Sequence, residues 1–289
     1  MSSDDPSIPK KPIVENWNFS VLQNARRIRE RRETLRFLIT SNLRAGHRDK
    51  WLGNLWNLLD PLLFLGVYYL VFGIGLRQAK GDPAGFLIYL SVGILSFRFF
   101  EGCVAQAAVC IRSNSGLLHS VYFPKTMLPV ALCFSRLYDF LWGLLVLVAI
   151  MGVTMETPFT LQLLWLPLIL LLQFLLCLGS ALIVAYLGAV FADTQNLVTI
   201  GMRMLFFLSP IFYFARSRDG HVGIVPEQYQ GIYYLNPLAR LLDAYRDSLL
   251  WGTAPTLETL GYLGGLILVT LISGFWLFSR AEGRFAKYL

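Results

Sequence analysis

The sequence predicts an all-α integral membrane protein. It expects six transmembrane helices, an N-terminal amphipathic interfacial helix and a short external re-entrant or surface helical segment before the last span. Three observations predict this. Of 289 residues, 55% are apolar and only 15% are charged, against about 45–50% and about 25% in soluble chains. Six stretches approach the ~20 mainly apolar residues that a membrane helix needs. Lys and Arg fall unevenly on alternate loops. The mean hydropathy of +0.55 excludes a disordered chain and argues against an ordinary water-soluble enzyme.

The spans are placed at 58–76, 85–110, 128–153, 161–190, 197–214 and 260–278. Residues 1–20 form a polar N-terminal tail, with Asp4, Asp5 and three prolines, and do not read as a signal peptide. Residues 21–50 hold the amphipathic interface helix and a linker, 51–278 the six-span unit, and 279–289 a tail. One set of alternate loops and termini carries 16 Lys and Arg, and the other set carries six. Basic residues concentrate on the cytoplasmic side, so both termini are expected there. The net charge of +7 reflects this skew and does not point to nucleic acid.

In residues 21–43, Val21, Ala25, Ile28, Leu35, Ile39 and Leu43 form one stripe at about 100° per residue. Arg26, Arg27, Glu30, Arg31 and Glu33 fill the rest, and Arg32 falls inside the stripe. A basic amphipathic helix before a first span suits the interface of an anionic leaflet. A helix packed on its own chain is the alternative.

Span one carries Phe64, Tyr68 and Phe72 at i, i+4 and i+8, with Tyr69 adjacent. This row drifts only about 40° per step on a 3.6-residue helix. Aromatic faces suit the C–H faces of sugar rings, and a tyrosine hydroxyl can bond sugar hydroxyls. Helix packing or contact with lipid is the plainer role.

Spans two and three carry Arg98, Glu101, Arg136 and Asp139. Ionisable residues inside spans are functional candidates. Folding the hairpin about residues 117–118 levels position 98 with 137, which places the four charges for one cross-helix cluster. Two local i,i+3 pairs are the alternative. Such a cluster either fixes the hairpin or lines a route for a polar headgroup. Arg203 lies six residues into span five, where it snorkels to the interface or receives an anionic group of a ligand. Phe212 and Tyr213 near the end of that span suit an interfacial belt. After span five, 215–259 is too long for a turn. Leu238, Leu241, Leu242, Tyr245 and Leu249 share one side of a helix at 238–250.

Cys103, Cys110, Cys133 and Cys177 fall in apolar runs without metal spacing and read as small buried residues. The three histidines are too scattered for a metal cluster.

Several segments carry a family resemblance. They are Trp51-Leu52-Gly53-Asn54-Leu55-Trp56 with Pro61, Val121-Tyr122-Phe123-Pro124-Lys125 with Leu128-Pro129, Phe191-Ala192-Asp193, Phe207-Leu208-Ser209-Pro210-Ile211 and Leu235-Asn236-Pro237-Leu238. In this order and on these sides of the spans, the chain after residue 20 resembles the membrane subunit of ABC-2-type exporters of lipid-linked polysaccharides. These carry O-antigen, wall teichoic acid, capsule or galactan precursors. Ala192 departs from the pattern, which more usually has a basic residue beside the aspartate.

The resemblance implies a permease in the bacterial cytoplasmic (inner) membrane. It implies a second copy of the chain, two copies of a separate ABC ATPase that holds ATP and Mg, and a lipid-linked polysaccharide substrate. Spans one and five of the two copies would line the gap, with Phe64, Tyr68, Tyr69, Phe72, Arg203, Phe212 and Tyr213 as substrate-path candidates. Ser113, Asn114, Leu117, Leu118, His119, Tyr122, Phe191 and Asp193 would meet the ATPase. The sequence has no G-x-x-x-x-G-K-[ST], so ATP hydrolysis is expected from the partner. An ion-coupled secondary transporter is the rival class, but the inverted repeat typical of many such folds is not visible. A membrane-embedded glycosyl- or acyltransferase would lack its usual parts, since no span carries a histidine.

Overall fold

The computed structural model describes residues 31–47, 56–75, 82–120, 123–154, 161–218 and 222–281, and their regular elements are helices. In chain order, α1 is Arg32–His47. Helix α2 is Trp56–Tyr68 and continues as a π-helix, Tyr69–Gly75. Next come α3 (Pro83–Ser113), the short α4 (Ser115–Ser120) and α5 (Met127–Thr154). A 3₁₀ turn, Leu161–Trp165, leads into α6 (Leu166–Val190). Then follow α7 (Thr194–Leu208), α8 (Glu227–Tyr233), α9 (Pro237–Leu249) and α10 (Leu257–Ala281).

Helix α3 is the axis of the bundle. It starts where Asp82 caps it, accepting from the Gly85 N–H at 2.7 Å, with Pro83 in its first turn. Its 31 residues rise about 46 Å, and α2, α5, α6, α7 and α9 all pack on it. Ile88, Leu90, Ile94 and Ile111 on α3 are fully enclosed. The four cysteines are buried and unpaired.

Among the described residues, four helices are long and apolar enough to cross a bilayer: Pro83–Ser113, Met127–Val153, Leu161–Val190 and Leu257–Phe278. The chain is thus a multi-pass membrane protein. The expected first span corresponds to a shorter apolar stretch, Leu59–Gly75. The expected span at 197–214 is not one continuous helix. Helix α7 has 15 residues, about 22 Å against a hydrocarbon core of about 30 Å. It stops because Ser209 is extended, with φ −102° and ψ 145°, as the residue before a proline prefers. Pro210 offers no N–H to continue the ladder. Residues 209–214 instead turn against the Pro83 end of α3.

Helices α6 and α10 approach closely where Gly179 faces Gly274. A Cβ on Gly179 would lie 2.6 Å from the Thr270 hydroxyl, and one on Gly274 would lie 3.0 Å from the Gly179 carbonyl. Small residues at a crossing let membrane helices pack through their backbones.

The described part of the amphipathic stripe, Leu35, Ile39 and Leu43, lies on α1, which packs on α5. Leu35 and Ile39 meet the core, Leu38 is buried, and the Ser135 hydroxyl donates to the Ile39 carbonyl at 3.5 Å. This portion packs on its own chain, and Arg32 is exposed. Val21, Ala25 and Ile28 lie outside the described residues, as do the tail 1–20, the Trp51–Leu55 part of the first motif and residues 282–289.

Candidate functional site

The aromatic row of α2 forms a seam. Phe64 stacks on Tyr68 at 6.5 Å and Tyr68 on Phe72 at 6.0 Å. The row leans on α7 and the segment after it. Tyr68 lies 5.9 Å from Phe206, and Phe72 stacks on Phe212 at 4.3 Å. Phe212 continues to Tyr213 at 5.3 Å, whose hydroxyl meets that of Tyr233 at 3.0 Å. Tyr68, Phe72 and Phe212 are half-buried in this seam, while Phe64 keeps 44% of its surface. Tyr69 leaves the row and faces α3, 6.5 Å from Phe86.

The exposed sides of the same two helices are apolar. Leu63, Val67, Leu70 and Ile74 stand out on α2, and Leu197, Ile200, Met204 and Phe207 on α7. Arg203 is exposed in this second stripe, with no hydrogen bond or ion pair among the described residues.

At the foot of the row lies a cavity of about 540 Å³ between α2, α3 and α5. Arg98, Glu101, Arg136 and Asp139 all line it, so the structure brings the four charges together. Their pairing differs from a four-membered cluster. Arg136 pairs with Asp139 on its own helix at 2.8 Å, and its Nε donates to Gln106 at 3.1 Å. Arg98 instead donates to Asp60 of α2 at 2.6 Å, with its guanidinium 4.5 Å above the Phe64 ring. Asp60 sits four residues before Phe64, so Asp60, Phe64, Tyr68 and Phe72 are one row with a charged foot. The sequence signal was present, because Asp60 is the single acid in the first apolar stretch and buried-span acids are functional candidates.

The other end of the seam is held by a buried cation. Arg246 on α9 is 0% exposed. Its guanidinium lies 3.3 Å over the Tyr89 ring and donates to the carbonyls of Tyr89, at 3.2 Å, and Ile211, at 3.3 Å. The Tyr89 hydroxyl donates to the Tyr213 carbonyl at 2.6 Å. Gly93 makes room for this contact, since a Cβ there would lie 2.8 Å from the Ile211 carbonyl. Asn236 ties the start of α9 to the end of α7. Its Oδ1 accepts from Leu238 N–H at 3.0 Å, and its Nδ2 donates to the Leu208 carbonyl at 3.2 Å and to the Ser209 hydroxyl at 3.0 Å. Behind α9, Tyr245 donates to Gln173 at 2.7 Å, and Gln173 donates to the Ser96 carbonyl at 2.8 Å. The predicted face of α9 is the buried one: Leu238, Leu241, Leu242, Tyr245 and Leu249 are all enclosed. Arg246 lies within that face, and counting it as a loop charge hid it.

The two expected ATPase-facing segments lie side by side. Arg112 near the end of α3 donates to the Ala189 carbonyl at 3.4 Å, two residues before Phe191. Phe191 is 59% exposed and Asp193 is exposed. Ser113 and Asn114 turn back, each donating to the Cys110 carbonyl, at 3.3 and 2.8 Å. Leu117 is half-buried against the core. Leu118 and His119 fall on α4 with side chains outside the described residues, and Tyr122 lies outside them altogether.

Residues 33–250 match the ABC-2 type transporter family. The chain belongs to that family. Among its relatives, the O-antigen export system permease protein RfbA of Klebsiella pneumoniae is 26% identical over 254 residues, 87% of this chain and 93% of that protein. The RfbA protein of Myxococcus xanthus is 26% identical over 268 residues, covering 92% and 99%. The polysialic acid transport protein KpsM of Escherichia coli is 28% identical over 256 residues, covering 86% and 93%. The family match takes in the aromatic seam, the charged cavity and the break at Ser209–Pro210, and ends just beyond α9. This ABC-2 protein therefore carries every feature described above, except the α10 side of the bundle, inside the matched region.

Proposed function

We propose that the chain is the permease subunit of an ATP-driven exporter that moves a lipid-linked polysaccharide across the bacterial cytoplasmic membrane. The single observation that carries this reading is similarity to two kinds of glycan exporter, O-antigen and polysialic acid, over 86–92% of the chain. In this reading two copies work with two copies of a separate ABC ATPase, and both termini are cytoplasmic. The six-crossing topology counts α2 with its π-turn, and α7 with the segment after its break, as the short first and fifth crossings.

The apolar faces of α2 and α7 support a second copy as neighbour, because both stripes are exposed among the described residues. The gap between copies would then be lined by these faces, with Phe64 and Arg203 on its wall. Tyr68, Phe72 and Phe212 would act behind the wall, holding α2 against α7, rather than gripping sugar directly. Phe191 and Asp193 are the most accessible candidates for contact with the ATPase, and Arg112 ties their turn to the end of α3. A push there would reach the central helix at once.

The reading is tested by reconstituting the chain with its ATPase in liposomes that hold a labelled lipid-linked glycan. ATP-dependent appearance of the glycan on the opposite leaflet supports it. ATP hydrolysis without glycan movement, for every glycan the source bacterium makes, contradicts it.

A further inference from the structure

The cavity between α2, α3 and α5 holds charges that its internal pairs leave unused. Its wall carries three carboxylates, Asp60, Glu101 and Asp139, and two guanidiniums, Arg98 and Arg136. The Arg98–Asp60 and Arg136–Asp139 pairs account for four of these groups. Glu101 makes no hydrogen bond or ion pair among the described residues. The guanidiniums also keep donors in hand. Arg98 uses Nη2 on Asp60, while Arg136 uses Nε on Gln106 and Nη1 on Asp139. With five N–H groups on each, Nε and Nη1 of Arg98 and Nη2 of Arg136 make no hydrogen bond among the described residues.

This is the complement of a zwitterion with N–H donors at its positive end. A bare anion fits poorly, because carboxylates outnumber guanidiniums among the described lining residues. A metal ion fits poorly too, since no three acidic, His or Cys groups converge to hold one among the described residues. The volume of about 540 Å³ falls within the ~300–1,000 Å³ of small-ligand sites. Asp60 lies about 6 Å from the start of α2, Arg136 about 14 Å from the start of α5, and Arg98 about 22 Å from either end of α3. The paired side chains keep a third to a half of their surface, so the cavity is open to an entering group.

We propose that this cavity binds a zwitterionic lipid headgroup bearing a primary ammonium. The ammonium donates to Glu101, and the phosphate accepts from the free N–H groups of Arg98 and Arg136. The cavity lining includes none of the exposed α2 and α7 residues assigned to the glycan, so the lipid is a resident partner and not the cargo.

The test is native mass spectrometry of the full-length chain after exchange into three lipids with identical acyl chains: phosphatidylethanolamine, phosphatidylcholine and phosphatidylglycerol. The expected result is one phosphatidylethanolamine retained per chain. It should exceed the other two by roughly tenfold, the scale of one lost charge-assisted hydrogen bond. Glu101→Gln should reduce its retention to the phosphatidylcholine level, while Glu227→Gln on α8 should leave it unchanged. Equal retention of all three lipids, retention of none, a preference for phosphatidylglycerol, or an unaltered preference in Glu101→Gln would each overturn the proposal. Should Glu101→Gln fail to insert, the three-lipid comparison on the unaltered chain decides alone.

Discussion

Arg98 of α3 donates to Asp60 of α2 at 2.6 Å and lies 4.5 Å above the Phe64 ring, so one guanidinium ties the central helix to both the acid and the first aromatic of the same row. The pair joins two helices, unlike the i,i+3 pair of Arg136 and Asp139. A double-mutant cycle should therefore give coupling for Arg98 with Asp60 and additivity for Arg98 with Asp139. Breaking a buried pair costs about 3–5 kcal/mol in soluble proteins, and an exposed one under about 1. This partly open pair should couple by about 1–2 kcal/mol in thermal unfolding in detergent. Coupling of equal size in both cycles would return the four charges to a single cluster.

The seam residues should separate by depth. Phe72 is half-buried and stacked on Phe212, whereas Phe64 keeps 44% of its surface. Phe72→Ala should approach the ~3–5 kcal/mol cost of a truncated core phenylalanine. Phe64→Ala should cost less than half as much. At matched protein level, Phe64→Ala should lower surface glycan more than its stability loss explains. The check is a melting curve beside a surface-polysaccharide assay for each variant. Equal melting losses would contradict the assignment of Phe72 to the seam and Phe64 to the wall.

Gly93→Ala places a methyl group against the Ile211 carbonyl and the Arg246 guanidinium. Overpacking costs about 1–3 kcal/mol, so this variant should lower the melting temperature. Asn236→Ala should cost about 1–2 kcal/mol as a lost N-cap, together with freeing the Leu208 carbonyl. Because both act on the break after α7, protease cleavage near residues 209–216 should rise in each. Unchanged cleavage in both would show that the break is held by other contacts.

Phe191 and Leu117 should part company at the end proposed to face the ATPase. Phe191→Asp changes an exposed ring and should weaken ATPase co-purification while leaving the melting curve in place. Leu117→Asp puts a charge against the core and should destabilise the chain itself. Loss of stability in Phe191→Asp with intact ATPase binding would reverse the two roles.

Much of this was legible in the residues. The α9 face was readable because its leucines recur at helical spacing, and the Phe64–Tyr68–Phe72 row because it holds one stripe. The break at Ser209–Pro210 was not, because the apolar run continues to Phe214 and hydropathy does not register a missing N–H. The role of Asp60 is not legible in the sequence, because its partner Arg98 is 38 positions away. Arg246 and Gln173 were hidden for a related reason. Each bonds to groups far away in the chain, and spacing within one helix carries no trace of them.

The central claim is that this chain carries a lipid-linked polysaccharide outward. The most direct measurement is surface polysaccharide in the source bacterium after deletion of this gene, with the ATPase and glycosyltransferases intact. Surface label should disappear while lipid-linked glycan accumulates inside the cell, and the unaltered chain should restore it. Normal surface polysaccharide in the deletion strain, with no internal accumulation, would contradict the account.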